Sequence, residues 1–253
     1  MLPNAVNRIV LPDPEIEVWL ARLDLGIDQI AQCRELLSND EQLRAGRFHF
    51  ECDRRRSIVA RGVLRMLLGG HLDIAPAAVV FGYTQHGKPF VINQASQIHF
   101  NVSHSGERAL IALSVSRELG VDIEDVNREI DYGDLAARFF APRECTALMR
   151  IAEPDRKRAF FACWTRKEAV VKAIGSGLSL PLDRFEVTID PDAAPRVLDF
   201  AVPVLDIADL TLHSIDVGGD YVATAAAYCP KTAICDADRN KNPPCGGLLQ
   251  LPR

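Results

Sequence analysis

The stretch Leu119-Gly120-Val121-Asp122-Ile123-Glu124, read with Trp164-Thr165-Arg166-Lys167-Glu168-Ala169-Val170-Val171-Lys172, decides how this chain is built. In an extended strand, side chains two apart point to one face, so Asp122 and Glu124 project together. Val121 and Ile123 then face the other way, into a core. The second stretch reads as a helix, in which Glu168 and Lys172 are four apart and share a side. Three carboxylates and two lysines suit a divalent cation held against a diphosphate. Magnesium in particular takes a few hard oxygen ligands and completes its shell with waters and substrate phosphates. The expected fold is therefore one that presses this strand against this helix.

Composition limits the choices around that pair. The chain has 253 residues, 48% hydrophobic and 25% charged, ordinary values for a soluble globular protein of one large or two small domains. No apolar run approaches the roughly 20 residues of a membrane span. The first 14 residues lack the basic start and apolar stretch of a signal peptide. Seven cysteines without C-x-x-C spacing fit reduced thiols, and a cytoplasmic location is expected. A net charge of -5 speaks against nucleic acid as a partner. Yet Arg44, Arg47, Arg54, Arg55, Arg56, Arg61 and Arg65 crowd one short stretch. Such a patch suits phosphates or an acidic partner, and a solvated helix face is the plain alternative.

Working outward, residues 15–23 alternate as a strand, and Ser38 with Glu41 forms a capping box that opens a helix. Apolar spacing predicts a helix over 52–69, ended by Gly69-Gly70. Strands are expected at 79–83, 98–102 and 109–116, the last two joined by a turn at Ser105-Gly106-Glu107. Helices resume after Asp131 and run over 155–174, closed by Gly175. Strands follow at 185–189, 210–217 and 221–228, with a Gly218-Gly219-Asp220 hairpin turn. This reads as an α+β chain with a weak internal duplication, the halves being 1–118 and 119–229. Residues 230–253 have no periodicity and read as a flexible tail.

Five segments in order carry a family resemblance. They are Gly87-Lys88-Pro89, Phe100-Asn101-Val102-Ser103-His104-Ser105-Gly106, Gly120-Val121-Asp122-Ile123-Glu124, the Trp164 to Lys172 helix, and Gly177-Leu178-Ser179-Leu180-Pro181-Leu182. Over roughly residues 15 to 229 the chain resembles the 4'-phosphopantetheinyl transferases, specifically the large single-chain type. The resemblance implies two similar α+β subdomains related by a pseudo-twofold, with the substrate in the cleft between them. It implies transfer of phosphopantetheine from coenzyme A to a serine of an apo acyl or peptidyl carrier protein, releasing 3',5'-ADP. Magnesium is the implied metal, with manganese able to replace it. Both halves in one chain predict a monomer.

Each residue then acquires an expected role beside a plainer one. Asp122 and Glu124 are expected metal ligands, against a solvated acidic strand end. Glu168 is a third ligand or the general base for the serine proton, against a simple helical pair with Lys172. Lys172 is expected on the α-phosphate and Lys167 less directly on the phosphates; Trp164 packs and orients the helix. By resemblance, Ser103 and His104 contact the 3'-phosphate of coenzyme A, and Lys88 lies beside the adenine nucleotide. Arg56 matches an arginine near the adenine and 3'-phosphate, and Arg44 falls where a further basic contact is expected. Glu41 stands where relatives can carry lysine. Residues 125–150 are the expected docking surface for the carrier, with Arg138, Arg143 and Arg150 steering an acidic partner. Phe139 and Phe140 there are core or contact.

Two other function classes would use parts of the same pattern. One is a non-catalytic coenzyme A-binding scaffold, whose sign would be a lost carboxylate or lysine. The other is a metal-dependent phosphohydrolase, which would leave Ser103-His104 and Gly87-Lys88-Pro89 unexplained.

Overall fold

Alternation over Glu17–Arg22 (β2) places Val18 on one face and Ala21 on the other, and both are buried. A strand apolar on both faces needs cover on both sides, and this requirement organises the first half of the chain. The computed structural model describes residues 4–92, 98–175, 180–200 and 206–229. Val6–Ile9 (β1) pairs antiparallel with β2, and β2 with Arg108–Ser114 (β6). His99–Ser105 (β5) closes a four-stranded sheet in the order β1-β2-β6-β5. Neither β1 nor the helix Ile27–Glu35 (α1) is among the sequence expectations, because each is short and half-exposed.

Helix Glu51–Leu72 (α3) covers one face, setting Val59, Val63, Leu64, Leu67 and Leu68 against Phe100, Ile111 and Leu113. It does not stop at Gly69-Gly70, as the glycines suggest. It continues to Leu72 and ends on Asp73 in the left-handed region (φ 51). Gly69 answers a different demand: a Cβ there would meet Ile74 O at 2.9 Å and Pro76 at 3.1 Å. The glycine thus marks the close return of the chain rather than the helix end. Helix Asn39–Ala45 (α2) opens on the Ser38–Glu41 capping box and packs on α3.

The second sheet has the order β10-β11-β7, from Glu118–Asp125 (β7), Leu210–Ile215 (β10) and Tyr221–Tyr228 (β11). Its even-numbered β7 side chains face helix Glu153–Ile174 (α6), where Gly120 permits direct backbone contact. A Cβ on Gly120 would lie 2.0 Å from Ala169 O and 2.4 Å from Ala173 N. The odd-numbered Val121 and Ile123 join Ala223 and Ala225 against Leu110, Ala112 and Val18 of the first sheet, in a shared core. Below α6, Phe160, Phe161 and Trp164 pack with helices Tyr132–Phe139 (α4) and Pro142–Arg150 (α5). Two small hairpins complete the fold, Phe81–Tyr83 (β3) with Pro89–Val91 (β4), and Phe185–Val187 (β8) with Val197–Phe200 (β9). Residues 177–179 of the fifth matching segment and the 230–253 tail lie outside the described residues. Among the described residues no helix is long and apolar enough to cross a membrane.

Candidate active site

Strand β7 is an edge strand of its sheet, and an edge must satisfy its outward N–H and C=O groups somehow. Here side chains from other elements do so. Val121 N–H donates to Asn101 Oδ1 (2.9 Å) and Asp125 N–H to Ser105 Oγ (3.1 Å), both from β5. Leu119 O accepts from Lys88 Nζ (3.2 Å) and Val121 O from Lys172 Nζ (3.1 Å). Polar groups of both halves are thereby drawn to one line.

On that line sit the sequence-predicted carboxylates. Ser103 Oγ donates to Asp122 Oδ1 at 2.8 Å, and Lys172 Nζ reaches the same oxygen at 2.6 Å and Ser103 Oγ at 3.3 Å. Ser105 Oγ and Arg128 Nη1 both donate to Glu124 Oε2, each at 2.8 Å. Asp122, Glu124 and Glu168 are 4%, 7% and 3% exposed, so three acids share one buried region. Asp122 Oδ2 and Glu168 Oε1 are buried without a hydrogen-bond partner. A bare carboxylate oxygen out of water is costly, and an ion or a proton must compensate it.

Electrostatics bear the strain of this crowding. Burial, then the charge of Asp122, push the Glu124 carboxyl up to about 7, against the opposing effects of Arg128 and Ser105. Burial likewise lifts Glu168 to about 7; Lys172 opposes this, while Asp122 and Glu124 add to it. Burial works against the Lys172 ammonium, but Asp122 and Glu168 more than offset it and hold the pKa above its usual value. Among the described residues no three acidic, histidine or cysteine side chains are grouped so as to hold a metal ion. The residue types nonetheless suit a hard divalent cation, since Asp122 and Glu168 each carry a buried carboxylate oxygen without a partner.

The remaining predicted residues divide. Lys88 is not an exposed turn lysine: its Nζ is held by Glu118 Oε2 (2.8 Å), which also accepts from or pairs with His99 through its other oxygen (3.1 Å). Arg56 is half-buried, with long pairings to Asp53 (3.5 Å) and to Glu107 (3.8 Å) in the turn between β5 and β6. His104 lies inside β5, not after it, and pleating turns it to the face opposite Ser103. The neighbouring serine and histidine therefore serve different sides of the strand, with Ser103 joining the carboxylates. Arg44 is exposed, 3.5 Å from Asp40 and stacked 4.4 Å over the Tyr83 ring.

Lys167 is a correction. It is 0% exposed, 2.8 Å from Glu144, and donates to Leu182 O (2.7 Å) and Phe185 O (2.5 Å). Adjacent residues on a helix point about 100° apart, and this rotation carries Lys167 away from the Glu168 side into the core. Glu41 is also reinterpreted. It is buried, caps α2 and receives Arg65 Nε at 2.7 Å as well as Arg61. Part of the arginine cluster is thus structural, since Arg65 also holds the carbonyls of Pro76 and Val79 at 3.0 Å. Phe140 stacks on Phe160 (5.1 Å) and Phe139 meets Trp164 edge-on (5.7 Å), so both phenylalanines belong to the core. Arg138, Arg143 and Arg150 are exposed.

Sequence reasoning did not pick out Asn101, Ser105, Glu118 or Arg128. The signal was present for one of them: Ser105 is two residues from Ser103, the same spacing as the carboxylates that the two serines meet.

Comparison with known proteins agrees over both halves. A sequence profile of the 4'-phosphopantetheinyl transferase superfamily matches residues 118–226, and one described as 4'-phosphopantetheinyl transferase, N-terminal, matches residues 27–116. The chain is 38% identical over 192 residues to the 4'-phosphopantetheinyl transferase HetI of Nostoc sp., covering 75% of this chain and 80% of that protein. It is 33% identical over 156 residues to a 4'-phosphopantetheinyl transferase of Bacillus subtilis, covering 62% and 68%. To the Bacillus subtilis protein Sfp it is 30% identical over 156 residues, again covering 62% and 68%. Given matches across both halves and a junction lined with buried acids and a lysine, this chain is an enzyme belonging to the 4'-phosphopantetheinyl transferase family.

Proposed function

We propose that this enzyme transfers the 4'-phosphopantetheine arm of coenzyme A to a serine of an apo acyl or peptidyl carrier protein in a magnesium-dependent reaction. The serine Oγ forms a bond to the β-phosphorus as the bond to the bridging oxygen breaks, and 3',5'-ADP leaves. Asp122, Glu124 and Glu168 are the residues that would hold the cation. When bound, it supplies neutralisation of the diphosphate charge. Lys172, buried and held charged by Asp122 and Glu168, would donate to the same phosphates. Glu168 also offers a bare oxygen to the proton lost by the serine, directly or through water. The protein's share is otherwise placement, which is how phosphoryl-type transfers gain most of their rate.

Arg56, His104, Lys88 and Arg44 would grip the nucleotide end from the first half, and Ser103 sits between that half and the carboxylates. For Lys88 this requires that a phosphate replace the Glu118 carboxylate it now holds. The carrier would approach across 125–150, where Arg138, Arg143 and Arg150 offer positive charge to an acidic partner. The single observation that carries the reading is the pair of unpartnered carboxylate oxygens, on Asp122 and Glu168, beside the Lys172 ammonium.

Intact mass spectrometry of an apo carrier incubated with the chain, coenzyme A and magnesium tests it. A gain of one phosphopantetheine arm is expected, abolished by EDTA and reduced at least ~100-fold in rate by Glu168→Ala. Coenzyme A binding without any mass gain across several carriers would favour a binding scaffold. Phosphate release without a carrier would favour a phosphohydrolase.

A further inference from the structure

The carboxylates of β7 are oriented from the other half of the molecule, and the two serines that do so are not equivalent. Ser103 contacts Lys172 as well as Asp122. Ser105 touches neither. It is 5% exposed, and its Oγ makes two bonds: it accepts from Asp125 N–H (3.1 Å) and donates to Glu124 Oε2 (2.8 Å). The first bond occupies a lone pair of the hydroxyl and so directs its proton at Glu124. Arg128 Nη1 lands on that same oxygen at 2.8 Å. One carboxylate oxygen, Oε2, thus takes both a neutral and a charged donor. Asp122 repeats the pattern, with Oδ1 holding Ser103 and Lys172 and Oδ2 bare.

We infer that Ser105 is a positioning residue for the divalent cation, fixing which oxygen of Glu124 is turned to the ion. This rests on the cluster being the cation site proposed above. Partners in the shell behind a ligand restrict its rotation, and losing one typically costs 10–100-fold in metal affinity. Because Ser105 belongs to β5 and Glu124 to β7, cation affinity is built across the junction between the two halves. A merely structural serine, capping the Asp125 N–H of an edge strand, would affect stability and leave the ion untouched.

The test uses the full chain without coenzyme A or carrier, titrated with manganese and followed by loss of the free-ion electron paramagnetic resonance signal. Ser105→Ala is expected to bind manganese about tenfold more weakly. Ser105→Thr keeps the hydroxyl and should stay within about twofold of the parent on the same reasoning. Arg128→Gln removes the second donor from a less buried position, is expected to weaken binding several-fold, and carries the test should Ser105→Ala fold poorly. Melting in EDTA reports the structural component separately. Unchanged manganese affinity in folded Ser105→Ala, or in Arg128→Gln if that variant alone folds, overturns the inference and leaves the cation site standing. No binding by the parent, or equal binding by Asp122→Asn, overturns the cation site and this inference with it.

Discussion

At the residue scale, two neighbours on α6 show how position overrides residue type. Glu168 faces β7 and the acid cluster, whereas Lys167 points into the core and pairs with Glu144, which is 3% exposed. Glu144 is itself tied to Ala141 N–H (2.8 Å) and Val187 N–H (2.7 Å), so this pair joins α5, α6 and β8. Removing one member of a buried ion pair strands the other, at a cost of about 3–5 kcal/mol; the two backbone donors on Glu144 place Lys167→Met near the lower end. Urea unfolding should show a loss of about 3 kcal/mol, partly recovered in Lys167→Met/Glu144→Gln. The Michaelis constant for coenzyme A should stay unchanged in folded protein. A raised constant with normal stability would instead return Lys167 to the substrate.

Among elements, the contact of β7 with α6 decides whether a site exists. It works because Gly120 brings the helix backbone against the strand, and Glu168 and Lys172 arrive opposite Asp122 and Glu124 as a result. In Gly120→Ala the new methyl would meet backbone atoms of Ala169 and Ala173, which cannot turn aside as a side chain could. Overpacking of this kind costs about 1–3 kcal/mol where neighbours can yield, and at least about 3 kcal/mol is expected here. The measurement is the urea midpoint, or the soluble yield if the variant does not accumulate. A midpoint within error of the parent would show that strand and helix can separate freely.

For the whole molecule, the two halves are joined by charge as well as by the shared apolar core. Lys88, in the turn between β3 and β4, and His99 of β5 meet Glu118, the last residue of the expected first half and the first of β7 in the second sheet. Burial alone would raise the Glu118 carboxyl, but the His99 hydrogen bond and the Lys88 charge win and take it down to about 2. A carboxyl near 4.5 in the unfolded chain and about 2 in the folded one stabilises the fold above pH ~4.5. That contribution is lost as pH falls from ~4.5 through ~2. Allowing for partial exposure of the side chain, it amounts to about 1–3 kcal/mol. Glu118→Gln should therefore be less stable at pH 7 by that amount and show a flatter decline between pH 4.5 and 2. Parallel acid curves for the two proteins would remove Glu118 from the account.

The amino-acid sequence by itself determined the α+β class, the enzyme family, and the pairing of Asp122 with Glu124 and of Glu168 with Lys172. The class follows from the order of strand and helix patterns, the family from the resemblance of five ordered segments, and the two pairings from period-two and period-four spacing, which needs no knowledge of the partner element. Only the tertiary structure decided that Ser103 and Ser105 hold those acids, that β5 runs on through His104 to Ser105, and that Lys167 and Glu41 are structural. Gly69 is of the same kind: a glycine permits both a helix end and a close approach, and the chain returning at Ile74–Pro76 selects the second. Local spacing fixes which way a side chain leaves its own backbone, whereas what it meets there is set by the packing of distant segments.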